Sequence, residues 1–351
     1  MSKIVITSVG VCHRTGMSLD SFRSNFQLLN KSESSPFLVG RTELEEELAK
    51  YMEYGQSRRL DRFSKMALVA ALSCSRNLDS ISDRYKNELG VVINTNLGAL
   101  NSSEEFIRGA LQNGIKNASP LIFPFTVPNA ASGVVTIQLG IRGFNTTISG
   151  YNPVGYAYDL LKLEKGKGFF VGGIEEYSMQ LLKIKGSNNP FYSHLISEGA
   201  GVLFMTTEDF AQENGMNILF TIDQFSTACN IDEEHTIDNS EFIEKSTIRN
   251  VMEDIYKNDK EKLLDTQLII SSFLPNDPLA EIEKKTISLF FHREMPPIIY
   301  PKSCLGETFG ATSTLNTIAG YCISKSEHIE GKTLICNYDI GGNYSCLTIK
   351  R

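Results

Sequence analysis

The sequence predicts an α/β fold in which helices pack on a largely parallel sheet, and three observations lead there. Short apolar, β-branched runs alternate with helix-compatible stretches along the chain, the pattern of a layered α/β protein. Several of these runs, such as GVVINT at 90–95 and SEGAGVLFM at 197–205, are rich in apolar and small residues with little alternation, which marks strands covered on both faces. The order strand, helices, buried strand, loop, small-residue helix, final strand occurs twice, with faint residue-level similarity between the copies. A polar stretch at 206–216, TTEDFAQENGM, lies between them and divides the chain into residues 1–213 and 214–351.

The elements follow in order. Residues 3–8 open as a strand on Ile4, Val5 and Ile6. Residues 18–29 read as a helix with Ser18 as its N-cap. Residues 31–55 are polar and irregular, with an acidic helical piece at 43–53. Residues 57–78 read as one strong helix, Ala-rich where close packing is needed. The strand at 90–95 leads through a loop to an amphipathic helix at 102–111, with Glu104 and Glu105 in a first turn that suits carboxylates. A Pro- and Phe-rich loop, a helix-compatible segment and a β-branched strand at 145–149 come next. A bend at 150–155, an amphipathic helix and buried strands at 168–173 and 197–205 close the first half. The second half offers strands at 217–223, 266–271 and 296–299, and helices at 236–258, 279–286 and 311–324. Residues 333–336 and 344–349 pair antiparallel around Gly341-Gly342.

The composition is that of a globular chain, 41% hydrophobic and 21% charged. A net charge of -7 argues against nucleic acid as the main partner. No apolar run approaches the ~20 residues of a membrane span. The opening MSKIVITSVGV lacks a signal-peptide layout, so a cytoplasmic location is expected. Seven cysteines without a CxxC give no zinc or disulfide framework, and no metal or cofactor is implied. Cys12 and His13 are neighbours, but adjacency alone makes no site.

The stretch from 145 onward carries the functional signal. A strand, a sharp Gly-containing turn and a helix in succession form a nucleophile-presenting turn. Its tip reads Tyr151-Asn152-Pro153, without Cys or Ser.

Eight segments resemble, in family order, those of a β-ketoacyl synthase of the thiolase fold, and the resemblance covers nearly all of the chain. They are IVITSVGV, RRLDRFSKMALVAA, GVVINTNLGAL, VPNAASGVVTIQLGIRGFNTTIS, GGIEE, EGAGVLFM, KSCLGETFGA and GGNYS. The resemblance implies a thiolase-like fold of two pseudo-repeated halves in a layered α-β-α-β-α architecture. A condensing member needs a Cys at the turn tip to carry the acyl chain as a thioester. It also needs two His, or His and Asn, to stabilise the enolate formed on decarboxylation. Here Tyr151 stands in the place of the Cys, Ser272 of the first His and Glu307 of the second, while Lys302 is retained. Ile340, in Asp339-Ile340-Gly341-Gly342, corresponds to the family's gating Phe. A scaffold kept with its chemistry removed resembles the chain length factor, the non-condensing ketosynthase-like subunit of type II polyketide synthases. That subunit usually carries Gln at the Cys position, and Tyr151 departs from it.

The resemblance implies a heterodimer with a catalytic ketosynthase, which holds a chain carried on an acyl carrier protein. Phe123 and Phe125 lie in a loop that reaches across the family's dimer interface. Phe144, Asn145, Thr146, Thr147, Ile148 and Ser149 are uncharged and β-branched-rich with no Pro, an edge that invites pairing with another chain. In thiolase-fold dimers the matching strands pair across the two-fold axis. Tyr151 is read as a pocket plug or interface filler, since a phenol of pKa ≈ 10 is a poor acyl carrier at neutral pH. Ala99, Ser102 and Phe106 correspond to family tunnel positions, with Phe106 as the stopper that limits chain length. Arg58, Arg59, Arg62 and Lys65 form a cationic run whose default is a solvated face. The resemblance adds a role in steering the acidic carrier protein. Glu307 is expected to pair with Lys302, and Cys304 to be a small core residue. Two other readings stand beside this one. One is a divergent thiolase-fold acyltransferase or hydrolase using Cys304, Tyr151 or Glu307 on an acyl thioester. The other is a homodimeric acyl-binding protein.

Overall fold

Nine consecutive buried residues place the first strand, β1 (Ile4–Cys12), in the middle of a sheet rather than at its margin. In the computed structural model of the chain, residues 2–30, 42–76, 78, 85–180, 196–229, 245–256, 265–291, 294–339 and 341–351 are described. The other strands are β2 (Leu89–Asn94), β3 (Asn145–Ile148), β4 (Gly168–Glu175), β5 (Gly199–Thr207), β6 (Phe220–Cys229), β7 (Thr266–Ile270), β8 (Ile298–Ile299), β9 (Lys332–Tyr338) and β10 (Asn343–Lys350). They form a ten-stranded sheet in the order β3-β2-β4-β5-β1-β6-β10-β9-β7-β8. Read inward from its two ends, this order is the same for β1–β5 as for β6–β10. The sheet is mixed, not largely parallel as the alternation of elements suggests. β2 runs parallel to β3 and β4, and β7 to β8 and β9, while the other pairings are antiparallel. Parallel neighbours occur where helices supply the crossover. The short turn between β9 and β10 leaves room for a hairpin alone, with Cys346 opposite Cys336.

Alternation along the strands sorts side chains into three cores. Ile4 and Ile6 of β1 enter a central core, and Val5 between them enters an outer one. Leu347 and Ile349 of β10 enter the central core, while Tyr344 and Cys346 enter a third. The helices Pro153–Lys162 and Thr312–Ser326 supply the central core, Arg62–Ser75 and Ala130–Leu139 the second, and Lys245–Tyr256 and Pro278–Ser288 the third. The result is the expected α-β-α-β-α layering. Thr312–Ser326 is buried from Thr312 to Ser324 despite its hydroxyls. Thr317 and Ser324 donate to carbonyls one turn back, at 2.8 Å each, so the burial leaves these groups satisfied.

Several boundaries differ from those read in the sequence. The helix over 57–78 is divided. Asp61 accepts from the backbone N–H of Ser64 at 3.1 Å and starts a new helix at Arg62, so the four cations do not share one helix. The helix expected at 102–111 begins at Leu100, which puts Glu104 beyond the first turn, where it pairs with Arg108. The polar stretch at 206–216 contains a helix, Glu208–Glu213, capped by Thr207. Of the helix expected at 236–258, Lys245–Tyr256 is described and the rest lies outside the described residues. Among the described residues no helix is long and apolar enough to cross a membrane.

Candidate functional site: a filled turn

β3 ends at Ile148, and the chain reverses through Gly150 at φ +68°, a conformation that suits glycine. Asn152 caps the following helix, its Oδ1 accepting from Val154 N at 3.0 Å, and Pro153 occupies the first turn. Gly155 is required by packing, because a Cβ there would lie 1.9 Å from Phe225 Cζ. The turn is tied to the β9–β10 hairpin. Asn152 Nδ2 donates to Ser345 Oγ at 3.1 Å, Asn343 Nδ2 donates to the carbonyl of Gly150, and Asn96 Nδ2 donates to Asp339 Oδ1 at 2.9 Å.

Tyr151 sits at the tip, half-buried, its ring edge-on to Tyr156 at 6.5 Å and Phe225 at 6.4 Å. Burial, and then the nearby Asp159, push its phenol above the ordinary value. It is therefore protonated at neutral pH and packed into an aromatic cluster. Ser272 is buried and accepts from Tyr338 N at 2.8 Å, which joins the end of β7 to β9. Glu307 has both oxygens engaged. Oε2 meets Lys302 Nζ at 2.6 Å, and Oε1 accepts from Phe309 N at 2.9 Å. Phe309 takes φ +43°, strained for a residue with a side chain, and the Glu307 bond to its N–H helps hold it. Cys304 is a buried core residue. Ile340, which the resemblance matches to a gating Phe, lies outside the described residues.

These positions surround a cavity of about 10 Å3, lined among others by Asn152, Phe309, Ser313, Asn337 and Ser345. Tyr151 precedes Asn152, Ser272 holds Tyr338 and Glu307 holds Phe309, so these three residues adjoin the lining without being part of it. The space is about the size of one water.

Buried carboxylates organise the surroundings, and none was singled out by sequence reasoning. Glu175 accepts from Asn96 N at 2.8 Å, Leu97 N at 3.2 Å, Gly310 N at 3.1 Å and Thr95 Oγ1 at 3.0 Å, locking the loop after β2 to the Phe309–Ala311 turn. Burial pushes its carboxyl up to about 8 against these four donors, which pull it down. Glu176 accepts from Asn101 N at 2.8 Å, near the start of the helix that carries Phe106, and burial pushes it up to about 7. Glu283, also pushed up to about 7 by burial, accepts from Ser271 Oγ and from Tyr344 OH. His13 is buried and neutral, lowered to about 4 by burial. Its Nδ1 accepts from Thr15 N at 3.1 Å, and its Nε2 donates to Leu305 O at 3.0 Å. The GGIEE segment was the one visible sign of the first two carboxylates.

The cationic run is split. Arg58 and Arg59 are exposed, but Arg62 is bound through two nitrogens to Glu198, which is fully buried, and Lys65 pairs with Glu45 at 2.7 Å. Ala99 is buried ahead of the Leu100–Asn113 helix rather than within it. Ser102 is buried within 3.4 Å of Asp61, and the Phe106 ring lies 5.5 Å from that of Phe123. β3 is an edge strand, bonded on one side to β2 with no strand on the other among the described residues. The elements before and after it in the chain carry exposed large apolar residues, including Ile107, Leu111, Leu121, Phe123, Ile137 and Phe144. Leu121 and Ile137 are more than four-fifths exposed, at 81% and 83%.

The fold is that of the ketosynthases, a thiolase-like fold. No protein-family model matches it. It is 25% identical over 201 residues to a 3-oxoacyl-[acyl-carrier-protein] synthase 2 of Staphylococcus aureus (strain N315), over 50% of this chain and 49% of that one. It is 24% identical over 204 residues to the enzyme of that name from Synechocystis sp., over 51% and 49%. The chain thus spans about half the length of the curated relatives it matches. Among solved structures, it superposes on a type II PKS acyl-carrier protein in complex with its ketosynthase at a TM-score of 0.79 and 18% identity, covering 100% of this chain and 99% of that one. The ishigamide ketosynthase/chain length factor gives 0.78 and 17%, covering 99% of each. A β-ketoacyl synthase from Burkholderia phymatum STM815 gives 0.79 and 17% over the full length of both chains. At these identities the likeness is one of fold.

Proposed function

We propose that this chain is a non-condensing subunit of the chain length factor kind, located in the cytoplasm and built of two halves, 1–213 and 214–351. It pairs with a catalytic ketosynthase and limits the polyketide chain built on an acyl carrier protein. The observation that carries this reading is the filled turn. A protonated Tyr151 occupies the nucleophile position above a cavity of about 10 Å3, and Lys302 and Phe309 N occupy both oxygens of Glu307. Such a site offers neither a thiolate nor room for a thioester.

The unpaired edge of β3 and the apolar residues around it supply a surface for the partner. Phe123, Phe125, Phe144, Asn145, Thr146, Thr147, Ile148, Ser149 and Tyr151 belong to it. An exposed edge without Pro or charge favours strand pairing, and clustered exposed apolar area favours burial against a second subunit. Phe106, against Phe123, faces the same side and serves as the stopper. Arg58 and Arg59 remain as cations free to meet a carrier protein. The similarity to a structure of a ketosynthase with its carrier protein, and to one of a ketosynthase/chain length factor, supports these partners.

Co-expression with a ketosynthase that has an intact Cys-His-His set tests the reading. A stable one-to-one complex is expected, with no acyl adduct on this chain by intact mass. A well-behaved homodimer that acylates itself from an acyl thioester would favour a divergent acyltransferase or hydrolase instead.

A further inference from the structure

We propose that the cavity behind the turn is a binding site for one water molecule, held by Asn337, Ser313 and Ser345. The volume, about 10 Å3, matches a single water. The walls supply the chemistry. Asn337 is 4% exposed, and its Oδ1 accepts from Asn316 Nδ2 at 3.0 Å, which fixes the plane of the amide. Its Nδ2 then has no protein partner, and neither has Ser313 Oγ in a residue 7% exposed. Flipping both amides exchanges donor and acceptor but still leaves one Asn337 atom unpartnered. Buried polar atoms in native proteins are satisfied by protein or by ordered water, and both residues line the same space. Ser345 Oγ accepts from Asn152 Nδ2, so its own proton is free to point at the same water.

The ligand is uncharged. Asp339, the carboxylate in the lining, already accepts from Asn96 at 2.9 Å, and no cation lines the space among the described residues. Water serves because it both donates and accepts. It takes hydrogen bonds from Asn337 and Ser345 and donates one to Ser313. Three partners are typical of a buried water. The bound molecule joins three pieces of chain: β10, through Ser345, which also accepts from Asn152 of the turn; the Thr312–Ser326 helix; and β9. The site does not depend on whether the chain pairs with a ketosynthase.

A crystal structure of the whole chain, at a resolution where ordered waters are seen, tests the site. One peak is expected within hydrogen-bond distance of both Asn337 and Ser313. An empty cavity, a peak larger than water, or side chains turned onto other protein groups would overturn the proposal. Magnetic relaxation dispersion of solvent water gives a second measure. Ser313→Val fills the space, and the variant is expected to lose one long-lived water relative to the parent. An unchanged number in a folded variant refutes the site. Ser313→Thr, which adds a smaller group, makes the same test if the valine variant does not fold.

Discussion

Arg62→Ala separates a structural cation from a docking one. Arg62 reaches Glu198 through Nε at 3.0 Å and through Nη2, and Nη2 also donates to the carbonyl of Thr42 at 2.5 Å. Glu198 is fully buried and is further held by the backbone N–H groups of Thr42 and Tyr177. Removing the guanidinium leaves a buried carboxylate with backbone donors alone. Breaking a buried pair from one side costs about 3–5 kcal/mol. Spread over the unfolding entropy of 351 residues, that lowers the melting temperature by roughly 4–7 °C. Thermal denaturation and carrier-protein binding should be measured on the same preparation. Arg58→Ala and Arg59→Ala, both exposed, serve as controls expected to fall within about 0.5 kcal/mol of the parent. An Arg62→Ala variant with unchanged melting and lost carrier-protein affinity would refute the assignment of Arg62 to the fold.

Glu175→Gln should flatten part of the pH dependence of stability. With its carboxyl raised from 4.5 to about 8, the folded chain keeps a proton that the unfolded chain has released, so stability falls as pH rises through that window. The variant has no such proton and should lose that share of the decline in urea titrations run at several pH values. His13 acts in the opposite sense: it is lowered from 6.5 to about 4, so its contribution is lost as pH falls through that range. Gly155→Ala drives a methyl into the Phe225 ring and should destabilise by about 1–3 kcal/mol, read as a lower denaturation midpoint. Phe106→Ala should lengthen the product of the reconstituted complex without slowing its formation, as resolved by mass spectrometry. An unchanged length would remove Phe106 as the stopper.

The strands and the turn were legible because their signals are local. Asn145–Ile148 is β-branched, Gly150 permits the reversal, and Asn152-Pro153 starts the helix. The direction of the strands was not legible, since it depends on which strands become neighbours across the halves. The division of the 57–78 helix was visible only as Asp61, a cap whose strength depends on the Ser64 N–H it meets. At the candidate site, Tyr151, Ser272 and Glu307 could be singled out by resemblance, but the cavity could not. Its walls come from Asn152, Ser313, Asn337 and Ser345, which lie up to 193 residues apart in sequence. The buried glutamates were hidden for a similar reason: a carboxylate in GGIEE looks solvated until its four donors are brought to it from the 95–97 loop and from Gly310.

The two margins of the sheet differ in a way that sets how many neighbours the chain can recruit. β8 has two residues and is crowded by Pro296, Pro297 and Pro301, none of which can donate a backbone hydrogen bond. β3 carries no such block. A sheet with one adhesive margin has a valence of one: it joins a single mate edge to edge and then has no second edge to offer. The proposed pairing through β3 would therefore end at two subunits, where two open margins would have allowed a growing ribbon.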